Sequence, residues 1–275
     1  MVSFGGNSRR SLLALRAQLD SSLNGLSADK SASLSEDLIL VLRSLDSTIS
    51  LRRAFTDPAR DSNSKESLAR DLYSNKIDGT TLKLVEVAAA SRWSTPSEFA
   101  DAIEQLAVEA QASAANMENQ IDVVQTELFK FAQIINENYE LRLALSDSRA
   151  SQDNRVAIVQ DLFGSMFNNN TLKLIAIAVQ SRGHRTIEKG IEAVVYGVSA
   201  RRNRVNALVK SNVQLTAGQS EKLENILSKK IGQPVHLNFE IDSSVIGGVS
   251  VEFQDEIIDG TIRSRLVEAG RLISN

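Results

Sequence analysis

Cysteine is absent from this chain of 275 residues, proline occurs three times and tryptophan once. Without thiols there is no disulfide, no thiolate-held metal and no cysteine nucleophile, and the composition fits a reducing compartment. Aromatic residues reach only 5%. Alanine, leucine, serine, isoleucine and valine dominate instead, a mix that favours helices with few forced breaks. No charge of one sign prevails: the net charge is −3 and the pI near 5.6, so no overall field draws the chain to nucleic acid or an anionic membrane. The two basic runs, around Arg9 and Arg10 and around Arg201, Arg202 and Arg204, are short and read as solvated helix ends. The N-terminus lacks the apolar core and cleavage site of a signal peptide. Apolar runs such as Leu38 to Leu42 fall far short of the roughly 20 residues that span a bilayer. Attachment to a membrane would have to come through another polypeptide.

What the chain does contain is a repeat. Residues 51–92 overlay residues 141–182 without a gap at an offset of 90. Leu51, Arg52, Ala54 and Asp57 match Leu141, Arg142, Ala144 and Asp147. Asp71 and Leu72 match Asp161 and Leu162, and Tyr73 falls on Phe163. The run Thr81, Leu82, Lys83, Leu84 matches Thr171, Leu172, Lys173, Leu174, and Ala88, Ser91 and Arg92 match Ala178, Ser181 and Arg182. So many identities on one register mark a duplication.

Each copy reads as antiparallel helices. Ile121, Val124, Leu128, Phe131 and Ile135 step by three or four residues, the stripe of one amphipathic helix. Val156, Val159, Leu162 and Phe163 form another stripe, and Leu172, Ile175, Ala176 and Val179 a third. Ser146–Asp147–Ser148 and Asn168–Asn169–Asn170 interrupt them with side chains that compete for backbone hydrogen bonds. Thr56–Asp57–Pro58 and Asp78–Gly79–Thr80 stand at the same places in the first copy. At the junction, Thr95–Pro96–Ser97–Glu98 combines a capping hydroxyl, a proline at the first helical position and a glutamate three residues after the cap. A long helix should begin near Ser97. Ser33–Leu34–Ser35–Glu36 suggests a similar start in the first copy, after a break over residues 25–31.

Beyond Arg204 the period changes. Val205, Ala207 and Val209 alternate as in a strand, and Thr216–Ala217–Gly218–Gln219 is a capping box opening a helix with Leu223, Ile226, Leu227 and Ile231 on its apolar face. Val235, Leu237, Phe239 and Ile241 alternate, as do Val249, Val251 and Phe253, which reads as two half-buried strands. Gly247 and Gly248, free to take positive φ, form a tight turn between them. Ile262, Leu266, Ala269 and Ile273 suggest a closing helix. The expected fold is mainly α with a small α+β C-terminal domain: two tandem antiparallel helical bundles, 1–95 and 96–204, then a strand–helix–hairpin–helix unit over 205–275.

No catalytic constellation emerges. His184 and His236 lie far apart with no patterned partner. The Gly247–Gly248 pair lacks the Gly-x-x-x-x-Gly-Lys-Ser/Thr pattern of a phosphate loop. Asp255, Glu256 and Asp259 read as a polar turn with Asp259 near a helix start rather than convergent metal ligands. Trp93 reads as a packing residue at the repeat junction. No cofactor, metal or catalytic residue is expected.

The segment Val235-x-Leu237-x-Phe239-x-Ile241-Asp242-x-Ser244-x-Ile246-Gly247-Gly248-Val249-x-Val251, followed by Ile257-Ile258-Asp259-Gly260-Thr261-Ile262-Arg263-x-x-Leu266, resembles the C-terminal signature of the delta subunit of bacterial F-type ATP synthases, whose mitochondrial counterpart is the oligomycin-sensitivity-conferring protein. The resemblance extends back to about Glu98, through Phe99, Ala100 and Ala102, Glu127, Leu128, Phe131 and Ala132, and Leu172, Leu174 and Ile175. Two departures stand out. Gln180–Ser181–Arg182–Gly183–His184 replaces the Asn-Gly-Arg-Leu-like end of the family's fifth helix. Residues 1–95 have no counterpart in the ordinary subunit and look like the duplicate bundle of actinobacterial forms.

The resemblance implies a mechanical role, a peripheral stator connector at the cytoplasmic face of the plasma membrane that keeps the catalytic head from turning with the rotor. Its implied partners are the N-terminal helices of the alpha subunits, gripped by the helical bundle, and the b-type stalk subunits, bound by the C-terminal domain. It implies neither nucleic-acid binding nor direct membrane insertion. Phe99, Ala102, Leu106, Leu174 and Ile177, on the first and fifth helices of the second bundle, are candidates for a groove that takes an amphipathic helix. Ile246, Gly247, Gly248, Asp259, Ile262, Arg263 and Leu266 carry the C-terminal motif. A different helical-repeat adaptor would explain the duplication but not that motif, and an enzyme would lack catalytic groups.

Overall fold

The computed structural model describes residues 4–147, 149–180, 186–202, 205–231, 235–242, 245, 247–253 and 256–259. The chain divides into two compact units, Met1–Arg201 and Arg202–Asn275. The first contains α1 (Gly6–Leu23), α2 (Ala28–Ser47), α3 (Ile49–Thr56), α4 (Ser62–Tyr73), α5 (Gly79–Ala90), α6 (Pro96–Met117), α7 (Ile121–Glu137), α8 (Tyr139–Ser146), α9 (Gln152–Phe163), α10 (Asn169–Val179) and α11 (Ile187–Arg202).

The repeat sets the helix ends twice over. Asp61 and Ser151 cap α4 and α9 by accepting from the N–H of Ser64 (2.9 Å) and Asn154 (3.1 Å). Asp78 and Asn168 cap α5 and α10 by accepting from Thr80 and Asn170, both at 2.8 Å. Each cap satisfies a donor that the helix itself leaves open. The α7 stripe from Ile121 through Ile135 is buried throughout. Leu162, by contrast, is 54% exposed: it lies on the outer side of α9, while Val159 and Phe163 face inward.

One expected start moves. The first-copy helix placed at Ser33–Glu36 begins at Ala28 instead, capped by Ser27, which accepts from Lys30 N–H at 3.4 Å. Ser31 and Ser35 are then helix-interior residues turned toward α6. Their hydroxyls donate to the carbonyls of Ala110 (2.8 Å) and Ala107 (2.7 Å). Those pairings run in opposite directions along the two helices, so α2 and α6 are antiparallel. Small residues on both sides let the backbones approach closely.

α6 is the hub. It packs against α1, α2, α3, α7 and α10. Gly197 of α11 also meets it, since an added Cβ would stand 2.5 Å from Val108 Cγ1. Every residue of α6 from Ala102 through Ala115 is buried, including Glu104, Gln105, Glu109 and Gln111. Shifting α1 by the repeat offset lands it on α6, and shifting α6 lands it on α11. A single helix therefore closes the first copy and opens the second, so one apolar core runs through both.

The second unit carries β1 (Val205–Ser211), α12 (Ala217–Ile231), β2 (Val235–Ile241), β3 (Val249–Phe253) and β4 (Glu256–Asp259), with strand order β2-β1-β3-β4. β1 runs parallel to β2, with α12 as the crossover that parallel pairing requires, and antiparallel to β3. Val209, Leu227, Val235, Leu237 and Val251 form its core, with Leu223 and Val249 against them. The α12 capping box closes reciprocally: Thr216 N–H donates to Gln219 Oε1 (2.9 Å) and Gln219 N–H to Thr216 Oγ1 (3.4 Å).

Two local expectations change here. β2 and β3 are separated by β1, so these two strands do not form a hairpin; β3 pairs instead with β4. Residues 256–259 are that fourth strand, not a polar turn. Ile257 and Ile258 favour extended backbone, and β3 offers them a partner edge.

Candidate partner-binding surfaces

The five apolar residues expected to line a helix-binding groove are all inside the helical unit. Phe99, Ala102, Leu106 and Leu174 have no exposed surface and Ile177 has 1%. Phe99 packs tilted on Phe55 and edge-on to Trp93, each with ring centroids 5.5 Å apart. α2 lies along α6 and reaches the α10 side through Glu36, which pairs with Lys173 (2.8 Å), and through Arg43, which donates to Gln180 (2.9 Å). The strip between α6 and α10 is covered by the chain's own second helix. Sequence periodicity identifies apolar faces, but not which helix of the same chain will cover them.

The junction differs from its sequence pattern in one respect. Thr95 caps α6 as expected, accepting from Glu98 N–H at 3.2 Å. Glu98 does not reach back to complete the box. Its carboxylate accepts from Gly5 N–H (2.9 Å) and Ser8 Oγ (2.6 Å), which ties the start of α1 to the start of α6. Trp93 is 8% exposed and donates its Nε1–H to Ala88 O (2.9 Å), which is the packing role expected of it.

Sequence reasoning missed a buried ionic cluster. Glu109, 1% exposed, accepts from Arg16 Nε at 2.6 Å and lies 3.2 Å from Arg201 Nη2; Arg201 also donates to Asp20 at 2.5 Å. α1, α6 and α11 meet at this point. Arg16, Asp20 and Arg201 looked like ordinary surface charges in sequence. The only available signal was Glu109 itself, sitting on an alanine-rich stretch where helical periodicity places it beside apolar neighbours.

A pair of buried cations also follows the repeat. Lys65 on α4 and Arg155 on α9 are 5% and 6% exposed. Burial pushes both below their ordinary values, opposed by Asp57 and Asp147 respectively. Among the described residues no group of histidines and carboxylates converges as a metal site.

Of the C-terminal motif, Gly247 and Gly248 are described, with φ of 65° and 81°, the left-handed region that glycine enters without a Cβ penalty. This matches the conformational freedom expected of the pair. Asp259 ends β4. Ile246, Ile262, Arg263 and Leu266, with the expected closing helix, lie outside the described residues, as does His184.

The fold defines a mainly α protein with a duplicated helical part and a small α+β C-terminal unit. Comparison with known proteins is specific. The ATP synthase delta (OSCP) subunit family matches residues 108–272. The ATP synthase subunit delta of Streptomyces coelicolor is 37% identical over 275 residues, covering all of both chains. That of Streptomyces griseus is 38% identical over 96% of this chain and 97% of its own, and that of Thermobifida fusca 34% identical over 98% and 99%. The chain belongs to the ATP synthase delta (OSCP) subunit family. The family match begins inside α6, whereas these relatives also span the first copy.

Proposed function

We propose that the chain is the non-catalytic stator connector of a proton-driven ATP synthase, joining the alpha/beta head to the b-type peripheral stalk. The observation that supports this most is the full-length identity to proteins named as delta subunits, duplicated copy included. The architecture suits the task. A connector that resists torque gains from one helix shared by two copies, because load on either copy is carried by the same buried core. Its functional segments are 1–95, 96–204 and 205–275, with α6 contributing to both copies. In this reading it works peripherally at the cytoplasmic face of the plasma membrane, held there through the complex. No helix among the described residues is long and apolar enough to cross a membrane.

The helical unit holds alpha-subunit N-terminal helices, and the C-terminal unit, with its paired-glycine motif, meets the b-type helices. Phe99, Ala102, Leu106, Leu174 and Ile177 form the apolar seat of an alpha helix only when α2 lifts from α6. A photoreactive residue at position 106 tests that condition: a cross-link to an alpha subunit supports the seat, and one confined to α2 removes it. The role itself is tested by deleting the chain from inverted membrane vesicles. Proton-driven ATP synthesis should collapse, and full-rate synthesis without it would refute the connector reading.

A further inference from the structure

At the end of the first copy, a cavity of about 590 Å³ opens between α3, the loop that follows it and the α5–α6 junction. Its walls include Arg53, Arg60, Pro58, Trp93 and Pro96. Arg53 and Arg60 are exposed and form no ion pair among the described residues. Arg92 and the buried Lys65 add positive charge close by, with Arg60 and Arg92 both acting on Lys65. Asp57 is itself in the wall and Asp61 lies four residues on, and both carboxylates already accept from backbone amides. Asp57 holds the N–H of Ala59 (2.9 Å), and Asp61 holds the N–H and hydroxyl of Ser64 (2.9 and 2.7 Å). The cavity therefore presents guanidinium groups with no ion-pair partner among the described residues, beside an apolar floor. Trp93 is fixed in that floor by its bond to Ala88 and its contact with Phe99.

The duplication does not account for these residues. Structural positions keep their type between copies: Phe55 and Leu145, like Tyr73 and Phe163, are buried core in each. The second-copy counterparts of Arg53, Arg60 and Trp93 are Leu143, Ala150 and Gly183. The cationic, tryptophan-floored cavity is peculiar to the first copy, and its packing does not require the arginines. Arginine and tryptophan are the side chains most often found at energetic centres of protein interfaces, and a guanidinium pairs with a carboxylate through directed, charge-assisted bonds.

We propose that this cavity docks an acidic segment of a partner polypeptide, with carboxylates on Arg53 and Arg60 and an apolar side chain against Trp93. A small anion alone would satisfy the arginines and leave the apolar floor uncovered. The inference rests on these residues alone and holds independently of which subunits the chain joins. The test is selection of a random heptapeptide display library on the immobilised full chain. Enriched sequences should combine Asp or Glu with Leu, Ile or Phe. The most enriched synthetic peptide should shift the emission of Trp93, the sole tryptophan. The charge-reversal pair R53E/R60E, at exposed positions, should keep the melting temperature and weaken that peptide at least tenfold. Three results would overturn the proposal: enrichment without acidic residues, peptide binding indifferent to R53E/R60E, or inorganic phosphate reproducing the Trp93 shift and displacing the peptide, which would mark an anion site only.

Discussion

Asp37 and Glu127, ninety residues apart, perform the same act in the two copies. Asp37 Oδ2 accepts from the N–H of Asp78 and from the hydroxyl of Thr81, both at 2.9 Å. Glu127 Oε2 accepts from the N–H of Asn168 (3.0 Å) and the hydroxyl of Thr171 (2.5 Å). In each copy an acid on the second helix anchors the start of the fifth, using one methylene less in the first copy than in the second. Thr81 and Thr171 are fully buried, so their hydroxyls depend on this acceptor.

Asp37→Ala and Glu127→Ala should each lower stability by about 1–3 kcal/mol, the typical cost of leaving a buried polar group unsatisfied. Denaturant unfolding gives the value. Combining Asp37→Ala with Thr81→Val should cost less than the sum of the two, because both remove the same bond; strict additivity would show that the bond contributes nothing.

Acid should act unequally on the two copies. The Thr80 N–H holds the Asp78 carboxyl below its ordinary value of 3.8, whereas Asn168, its counterpart, does not titrate. A carboxyl lowered in the folded state contributes stability that is present above the unfolded value and lost as pH falls through the folded one. Asp78→Asn, which keeps a good cap, should flatten the fall in stability below pH 3.8. Hydrogen exchange of the first turn of α5 across that window checks it; an unchanged pH profile would count against the cap as its source.

Glu109→Ala should be among the most damaging single changes, on the order of 3–5 kcal/mol, because it removes the buried carboxylate that Arg16 and Arg201 share and leaves Arg201 only Asp20. Because α6 belongs to both copies, amides in α1 and α11 should lose protection together. Loss confined to one of them would mean that the cluster is not shared in solution.

Gly248→Val places a β-branched side chain at φ 81°. The backbone term alone is on the order of 1–2 kcal/mol, and valine adds crowding at Cβ. Exchange in β3 should rise while α6 remains protected, and in assembled enzyme the coupling of proton flow to synthesis should fall. A variant with unperturbed β3 exchange would remove the conformational role assigned to the pair.

Much of the helical unit was legible from residues because its rules are local. Asp78, Asn168 and Thr95 cap helices through bonds to amides two or three residues away, as Thr216 does in the second unit, and the stripe Ile121 to Ile135 is one face of one helix. Local pattern misled where a distant group competed. Ser31 and Ser35 looked like punctuation, yet α6 carbonyls accept their hydroxyls within a helix interior. Glu98 had a capping role available and was drawn to Gly5 and Ser8 instead. The pairing of β3 with β1, in place of β2, is equally nonlocal.

The sequence by itself determined the helices, their caps, the duplication and the glycine pair, since each depends on interactions within a few residues or on register alone. Only the tertiary structure decided that α6 serves two copies, that α2 covers the strip between α6 and α10, and that Glu109 gathers Arg16 and Arg201. An amphipathic face states that it must be buried, but any sufficiently apolar surface can bury it. The choice among such surfaces is made by steric fit and by the few polar groups that must find partners inside.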